Sequence, residues 1–322
     1  MTELLVPRLT GLVSAQHGVF STAQALDAGV HPREIQRAVT TGEWVRLRRG
    51  VYAPGGIVAR LDDASRHVLD ARAAQLTLHG PRVFSHITAA MVHGLPAYDL
   101  DLGEVHVTRP GRSTSGRHEA GIWHHVGALP EDRVTELVGL PVSDLCRTAL
   151  DVARVAQPAS ALVIADAACA RGVTSAQLRS DLAACMDWPG ARRASRLLPL
   201  ADGRAESPGE SIARWALHAL DLAPDELQLP VRTDSGVFRV DFAWTRWRLV
   251  GEFDGKIKYG RLVKSGESPS DVAWRERQRE LAIERSSWGM VRFGWADVHD
   301  LGRLRHLVLG AKARVEVHRR SA

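Results

Sequence analysis

The chain has 322 residues, 45% hydrophobic and 25% charged, the composition of a soluble globular protein with two or three cores. Its formal net charge of +5 and pI near 9.5 are compatible with nucleic acid as a partner. With no signal peptide and no run of about eighteen apolar residues, a membrane partner is excluded and a soluble, cytoplasmic protein is expected.

The cysteines, Cys146, Cys169 and Cys185, make no CxxC or other zinc spacing; they read as buried free thiols. Residues 4–17 place Leu5, Leu9, Leu12 and Val13 on one helical face, closed by Gly18. Ser21–Gln24 caps a short helix to Ala28, Gly29–His31 is a tight turn, and Pro32 opens a helix to about Thr41. Trp44–Tyr52 reads as two strands turning at Arg49-Gly50, so the whole is a winged helix-turn-helix. Arg33, Gln36, Arg37 and Thr40 lie on one side of the third helix, where they would face a major groove. Arg46, Arg48 and Arg49 of the wing suit phosphates or a minor groove. The bland alternative is a winged helix used for protein contact, its arginines merely solvated.

The run from Val19-Phe20-Ser21-Thr22 to Arg48-Arg49-Gly50-Val51-Tyr52 resembles the winged helix of the AbiE-type (type IV toxin–antitoxin) antitoxin family. That resemblance implies binding of promoter DNA, repression of the protein's own operon, and a cognate toxin as partner.

Pro54-Gly55-Gly56 reads as a linker, and 61–79 as a helix stopped at Gly80-Pro81. Ser85-His86 through His93-Gly94-Leu95-Pro96, and Gly139-Leu140-Pro141 through Asp151, resemble the same family's second domain. Ser85, His86 and His93 hint at hydrolase chemistry, but a Ser cap with helical histidines bonded to nearby backbone is the commoner arrangement. Strands are expected at 104–108 and 122–126, flanking a basic loop with Arg112, Arg117 and His118. His124 and His125 fall on opposite strand faces and cannot easily share a metal. Arg147 and Asp151 form an i,i+4 pair. From 160 to 200 the chain reads as helices broken at 172–175 and 188–190.

In the last third, Ser207-Pro208-Gly209-Glu210 caps a helix to Leu220, followed by strands at 228–231, 238–244 and 248–254. A hairpin centred between Arg246 and Trp247 sets Asp241 across from Glu252, with Glu252, Asp254 and Lys256 on one face. Opposed carboxylates repel, and a hard divalent cation between them turns the repulsion into a site. A helix at 274–285 and a strand at 288–295 complete the order. Asp241, Glu252 and the phrase GEFDGKIKYG resemble the PD-(D/E)xK core and the E-x-D-G strand of very-short-patch-repair-like endonucleases. The strict pattern wants Lys two residues after the acid; here that position is Asp254, and Lys256 comes later on the same face.

The resemblance implies a metal-dependent DNA endonuclease with Mg²⁺ or Mn²⁺ on Asp241 and Glu252. The Phe253 carbonyl and Glu210 would complete the shell, and Lys256 would orient water. Either Asp254-Gly255-Lys256 supplies the catalytic acid and lysine, or Glu252 is the acid and Lys256 has migrated along the same face. Lys258, Tyr259, Arg261, Arg275 and Arg279 would contact phosphates. The fold expected is a multidomain α+β chain: a winged helix at 1–56, an α/β antitoxin-like middle domain at 57–204, and a restriction-endonuclease-like α/β/α domain at 205–322. The rival reading is a repressor or antitoxin whose last domain is inactive and serves binding or homodimer contact.

Overall fold

The computed structural model describes residues 7–111, 116–255 and 269–321. They form two compact α/β units, one of residues 1–168 with 173–200, the other of 169–172 with 201–322.

The first unit begins with α1 (Pro7–Ala15), β1 (Phe20–Ser21), α2 (Thr22–Asp27), α3 (Pro32–Thr40), β2 (Trp44–Arg48) and β3 (Val51–Pro54). Two capping boxes set the helix starts, Ser21 with Gln24 and His31 with Glu34, the second reinforced by Pro32 in the first turn. Leu9, Val13, Phe20, Ala25, Val30, Ile35, Ala38 and Trp44 bury one face of each element in a common core. Phe20 meets Trp44 edge to face, ring centroids 4.7 Å apart. The sheet order β1-β3-β2 adds a strand, Phe20–Ser21, too short to show any alternation in sequence.

The linker expected at Pro54-Gly55-Gly56 is instead a helical turn, α4 (Gly55–Val58). Gly55 N–H donates to Glu43 O at 2.7 Å, and a Cβ there would sit 2.2 Å from Gly42 O, so only glycine allows this approach. Next, α5 (Asp63–Thr77) serves two cores at once. Its Leu69 and Ala73 pack on Val19, Val51 and Ala53, while Ala71 and Ala74 pack under the next sheet. Residues 1–56 and most of 57–204 therefore lie in one compact unit.

That next sheet is mixed, in the order β6-β7-β5-β4-β9-β8. Its strands are β4 (Val83–Phe84), β5 (Val105–Pro110), β6 (Arg117–Glu119), β7 (Ile122–Gly127), β8 (Val134–Leu137) and β9 (Leu140–Ser143). Arg117 and His118, expected in a loop, form the edge strand β6; Arg112 lies outside the described residues. Helices α6 (His86–Val92), α7 (Leu145–Val155), α8 (Pro158–Ala170), α9 (Ser175–Ala183) and α10 (Ala191–Leu197) complete this part of the chain. The Arg147–Asp151 pair forms as expected, Nε to Oδ2 at 2.8 Å, and Arg154 joins it at 2.8 Å.

The second unit contains α11 (Pro208–Ala219), β10 (Glu226–Thr233), β11 (Gly236–Trp244), β12 (Leu249–Asp254), α12 (Pro269–Arg285), β13 (Gly289–Gly294), α13 (Trp295–Val298) and α14 (Leu301–Ser321). The sheet runs β10-β11-β12-β13, antiparallel except for the parallel last pair. Trp244 is fully buried with its indole N–H donating to Leu222 O at 2.8 Å, the partner a buried indole requires. Among the described residues, no helix is long and apolar enough to cross a membrane.

Candidate functional site

Two features of the chain offer themselves, one in each unit. On the winged helix, the buried face of α3 is Ile35 and Ala38, which turns Arg33, Gln36, Arg37 and Thr40 outward, all exposed. Thr40 Oγ1 donates to Gln36 O at 2.9 Å, which fixes that hydroxyl on the helix. Arg46 and Arg49 of the wing are also exposed. Arg48 is different. Its Nη2 donates to Ala120 O at 2.7 Å, and half-burial lowers its pKa against the opposing pull of Asp70. It braces the wing on the neighbouring sheet instead of standing free for phosphate.

In the second unit, the pairing Phe242↔Gly251 and Trp244↔Leu249 is the register expected from a hairpin centred at Arg246 and Trp247. It brings Asp241 beside the Glu252 strand, and Asp241 Oδ2 accepts the N–H of Phe253 at 2.9 Å. Glu210 lies on the first turn of α11, where Ser207 Oγ donates to its Oε1 at 2.7 Å and Glu206 N–H to its Oε2 at 2.9 Å. Gln228 joins the two acids, its Nε2 donating to Glu210 Oε2 at 2.9 Å and to Asp241 Oδ1 at 3.4 Å. Residue 228 interrupts the ladder between Leu227↔Phe242 and Leu229↔Val240, and its φ of 52° is left-handed. Such a backbone costs on the order of 1 kcal/mol for a residue with a Cβ, and it is found where surrounding structure over-determines it. Sequence reasoning missed Gln228; nothing in a polar residue inside an apolar strand run announces a bridge between two acids.

Glu252 is 9% exposed and is held by Arg279 and Arg292, the latter at 3.2 Å, both of which also contact Glu276. Burial raises its pKa most, Arg279 and Arg292 oppose this, and the charges of Glu276 and then Asp241 raise it further. Glu210 is raised for the same reasons, burial first and then Asp241. Asp254 ends β12, half-buried. Arg279, expected on phosphate, is occupied by Glu252, Glu276 and the carbonyl of Arg239. Lys256, Lys258, Tyr259 and Arg261 lie outside the described residues.

The donors Glu210, Asp241 and Glu252 fit a hard divalent cation in kind, since oxygen ligands crowded by like charge are relieved by one. Their arrangement is not that of a closed ligand cage. Among the described residues, the group of histidine, cysteine and acidic side chains whose ligand atoms lie within 4.8 Å of one another is His86, His106 and His125, in the first unit. His125 thus joins residues from β5 and α6, while His124 faces Arg109 on the other side of β7. Ser85, His86 and Asp151 do not make a nucleophilic triad: Ser85 Oγ at 2.9 Å and Asp151 Oδ2 at 3.8 Å both face the same Nδ1 of His86. His93 bonds the carbonyl of Ser143 at 2.8 Å, a structural tie.

Comparison with known proteins bears on the first feature. The chain is 29% identical over 277 residues to Uncharacterized protein MT2308 of Mycobacterium tuberculosis strain CDC 1551, covering 83% of this chain and 88% of that protein. The same figures hold for Uncharacterized protein Rv2248 of the H37Rv strain. Residues 8–55, the stretch from α1 through β3, match the family described as transcriptional regulator, AbiEi antitoxin.

Proposed function

We propose that the protein is a DNA-binding transcriptional regulator of the AbiEi antitoxin kind, which reads its site with α3 and grips the backbone with the wing. The observation that carries this is the outward face of α3, with Arg33, Gln36, Arg37 and Thr40 exposed on a helix anchored by its own cap and core. Arginine and glutamine pair bidentately with guanine and adenine edges, and Arg46 and Arg49 sit on the wing for phosphate. The similarity of residues 8–55 to the antitoxin family supports the reading and brings with it a cognate toxin as partner. A homodimer on two half-sites about one helical turn apart belongs to the same proposal. The test is fluorescence anisotropy with DNA from upstream of the protein's own coding sequence. Salt-sensitive binding that distinguishes this DNA from a scrambled duplex is expected; equal binding of both sinks the regulator.

A second reading concerns the last unit, as a metal-dependent DNA phosphodiesterase with a restriction-endonuclease-like fold. The order α-β-β-β-α-β and the Glu210–Gln228–Asp241 bridge favour it. Asp241 and Glu252 would hold Mg²⁺ or Mn²⁺, with Glu210 and the Phe253 carbonyl as further oxygen donors. A cation bound there lowers the pKa of a water and offsets charge on the phosphate. Glu252 must first exchange Arg279 and Arg292 for the ion, and Lys256 is the residue to orient the attacking water. The test is plasmid cleavage with Mg²⁺ or Mn²⁺ by wild type, Asp241→Ala and Glu252→Ala. Cutting lost in both variants is expected, while an uncut plasmid beside intact DNA binding leaves a regulator with an inactive last unit.

A further inference from the structure

The first unit contains a cleft of about 490 Å³ that neither reading uses. Its walls include His86, Trp123, His125, Arg147, Arg154, Trp188 and Arg193. On one side the guanidinium groups of Arg147 and Arg154 lie 4.6 and 4.9 Å from the centre of the Trp188 ring. Both arginines pair with Asp151, which is fully buried and is the acid they share. Arg147 also donates Nη1 to Ala128 O, and Arg154 donates Nε to Pro189 O. That leaves the Nη2 amines without a hydrogen bond among the described residues. Arg193, held by its Nη1 on the carbonyls of Val155 and Ala156, borders the same space. Three arginines against one carboxylate leave the cleft with an excess of positive charge.

The opposite wall is a stack of rings. His86 lies on His125 at 3.6 Å between centroids and 11° between planes, and His125 lies 4.7 Å from Trp123. Burial keeps all three histidines neutral: the pKa of His86, His106 and His125 is lowered, for His106 to about 3. Thr108 Oγ1 donates to Ser85 Oγ at 2.7 Å, and Ser85 Oγ lies 2.9 Å from His86 Nδ1. The other ring nitrogen of His86, Nε2, is buried and has no hydrogen-bond partner among the described residues.

We propose that this cleft holds the phosphoryl group of a phosphate monoester, with Arg147, Arg154 and Arg193 meeting its oxygens. Arginine forks match phosphate oxygens in geometry and charge. The volume exceeds what a lone phosphate fills and lies within the range of small-molecule sites. A transition metal on His86, His106 and His125 is the competing occupant, and the geometry opposes it. Parallel stacked rings send their in-plane lone pairs side by side, His106 Nδ1 and His125 Nε2 already share a hydrogen at 3.0 Å, and nearby arginines repel a cation.

The experiment is isothermal titration of the full chain with a nucleoside monophosphate, with inorganic phosphate as competitor and a 5′-phosphorylated single-stranded oligonucleotide as a third arm. Saturable mononucleotide binding displaced by phosphate is expected, weakened about tenfold in Arg193→Gln, a surface variant that loses one charge-assisted bond. The oligonucleotide arm tells whether the natural source is a free monoester or a strand end. Absence of saturable binding, or binding as tight as wild type in both Arg193→Gln and Arg154→Gln, overturns the proposal. So does stoichiometric Zn²⁺ binding lost in His125→Ala with no nucleotide uptake. Operator binding by α3 is read separately by anisotropy, so failure here leaves the regulator reading standing.

Discussion

Asp241 Oδ2 accepts the backbone N–H of Phe253 at 2.9 Å, one strand over, which fixes a half-buried carboxylate at the centre of three acids. Its charge pushes up both Glu210 and Glu252, adding to the effect of their burial. A carboxyl whose folded pKa is raised above its ordinary value of 4.5 contributes stability below that value, lost as pH rises through the folded pKa. Asp241→Asn removes the like charge, so its melting temperature should gain on wild type as pH rises from 4.5 toward 7. Thermal melts of both proteins across that range check this; a difference independent of pH refutes it.

The outward face of α3 gives a contrast within the arginines. Arg37→Ala should weaken operator binding about tenfold or more and relax base preference, as loss of a base-edge contact does. Arg48→Ala should leave base preference unchanged and lower the melting temperature instead, because its guanidinium holds Ala120 O and is half-buried. Anisotropy titrations paired with melts separate the two effects.

Acid should loosen the first unit well before carboxylates titrate. His67, His86, His106 and His125 all have lowered pKa values in the fold, chiefly by burial. A base with a depressed folded pKa contributes stability above its ordinary value of 6.5, lost as pH falls below it. Each such histidine takes away roughly 1.4 kcal/mol per pH unit once the unfolded form protonates and the folded form does not. Urea denaturation between pH 7.5 and 5 should show a steep fall in the midpoint, and His67→Gln should soften its slope.

Gly209→Ala tests the packing beneath the acid cluster. A Cβ at residue 209 would lie 2.1 to 2.7 Å from ring atoms of Phe253, which in turn meets Trp295 edge to face at 5.1 Å. Overpacking of this sort costs about 1–3 kcal/mol. The substitution should lower the melting temperature by several degrees and displace Phe253 from Asp241, with any Mg²⁺-dependent cutting falling in parallel. Unchanged stability would mean that the ring has room to move.

Much of this was legible in the residues, for reasons that differ from element to element. The cap at Ser21 and the proline at the first position of α3 are local chemistry, and they delimit α2 and α3 to within a residue. The β11–β12 register followed from placing the turn at Arg246 and Trp247. What escaped depends on contacts far apart in sequence. Gly55 looks like a linker residue until its approach to Gly42 O is seen. Arg48 looks like the other wing arginines until Ala120 arrives from elsewhere in the chain. The histidine wall draws on α6, β5 and β7, whose spacing carries no metal or nucleotide pattern. The attachment of Glu252 to Arg279 and Arg292 required the strand β13 and helix α12 to be placed in space.

The double duty of α5 has a consequence for modularity. A reading head joined by a slack tether can be cut out and fitted to another body, but this one cannot. Separating it after residue 56 would strip Val19, Val51 and Ala53 of their cover by Leu69 and Ala73 and leave an oily scar on each fragment. A substitution in α5 that disturbs Leu69 or Ala73 therefore bears on Ala71 and Ala74 under the six-stranded sheet as well, because both cores share one helix.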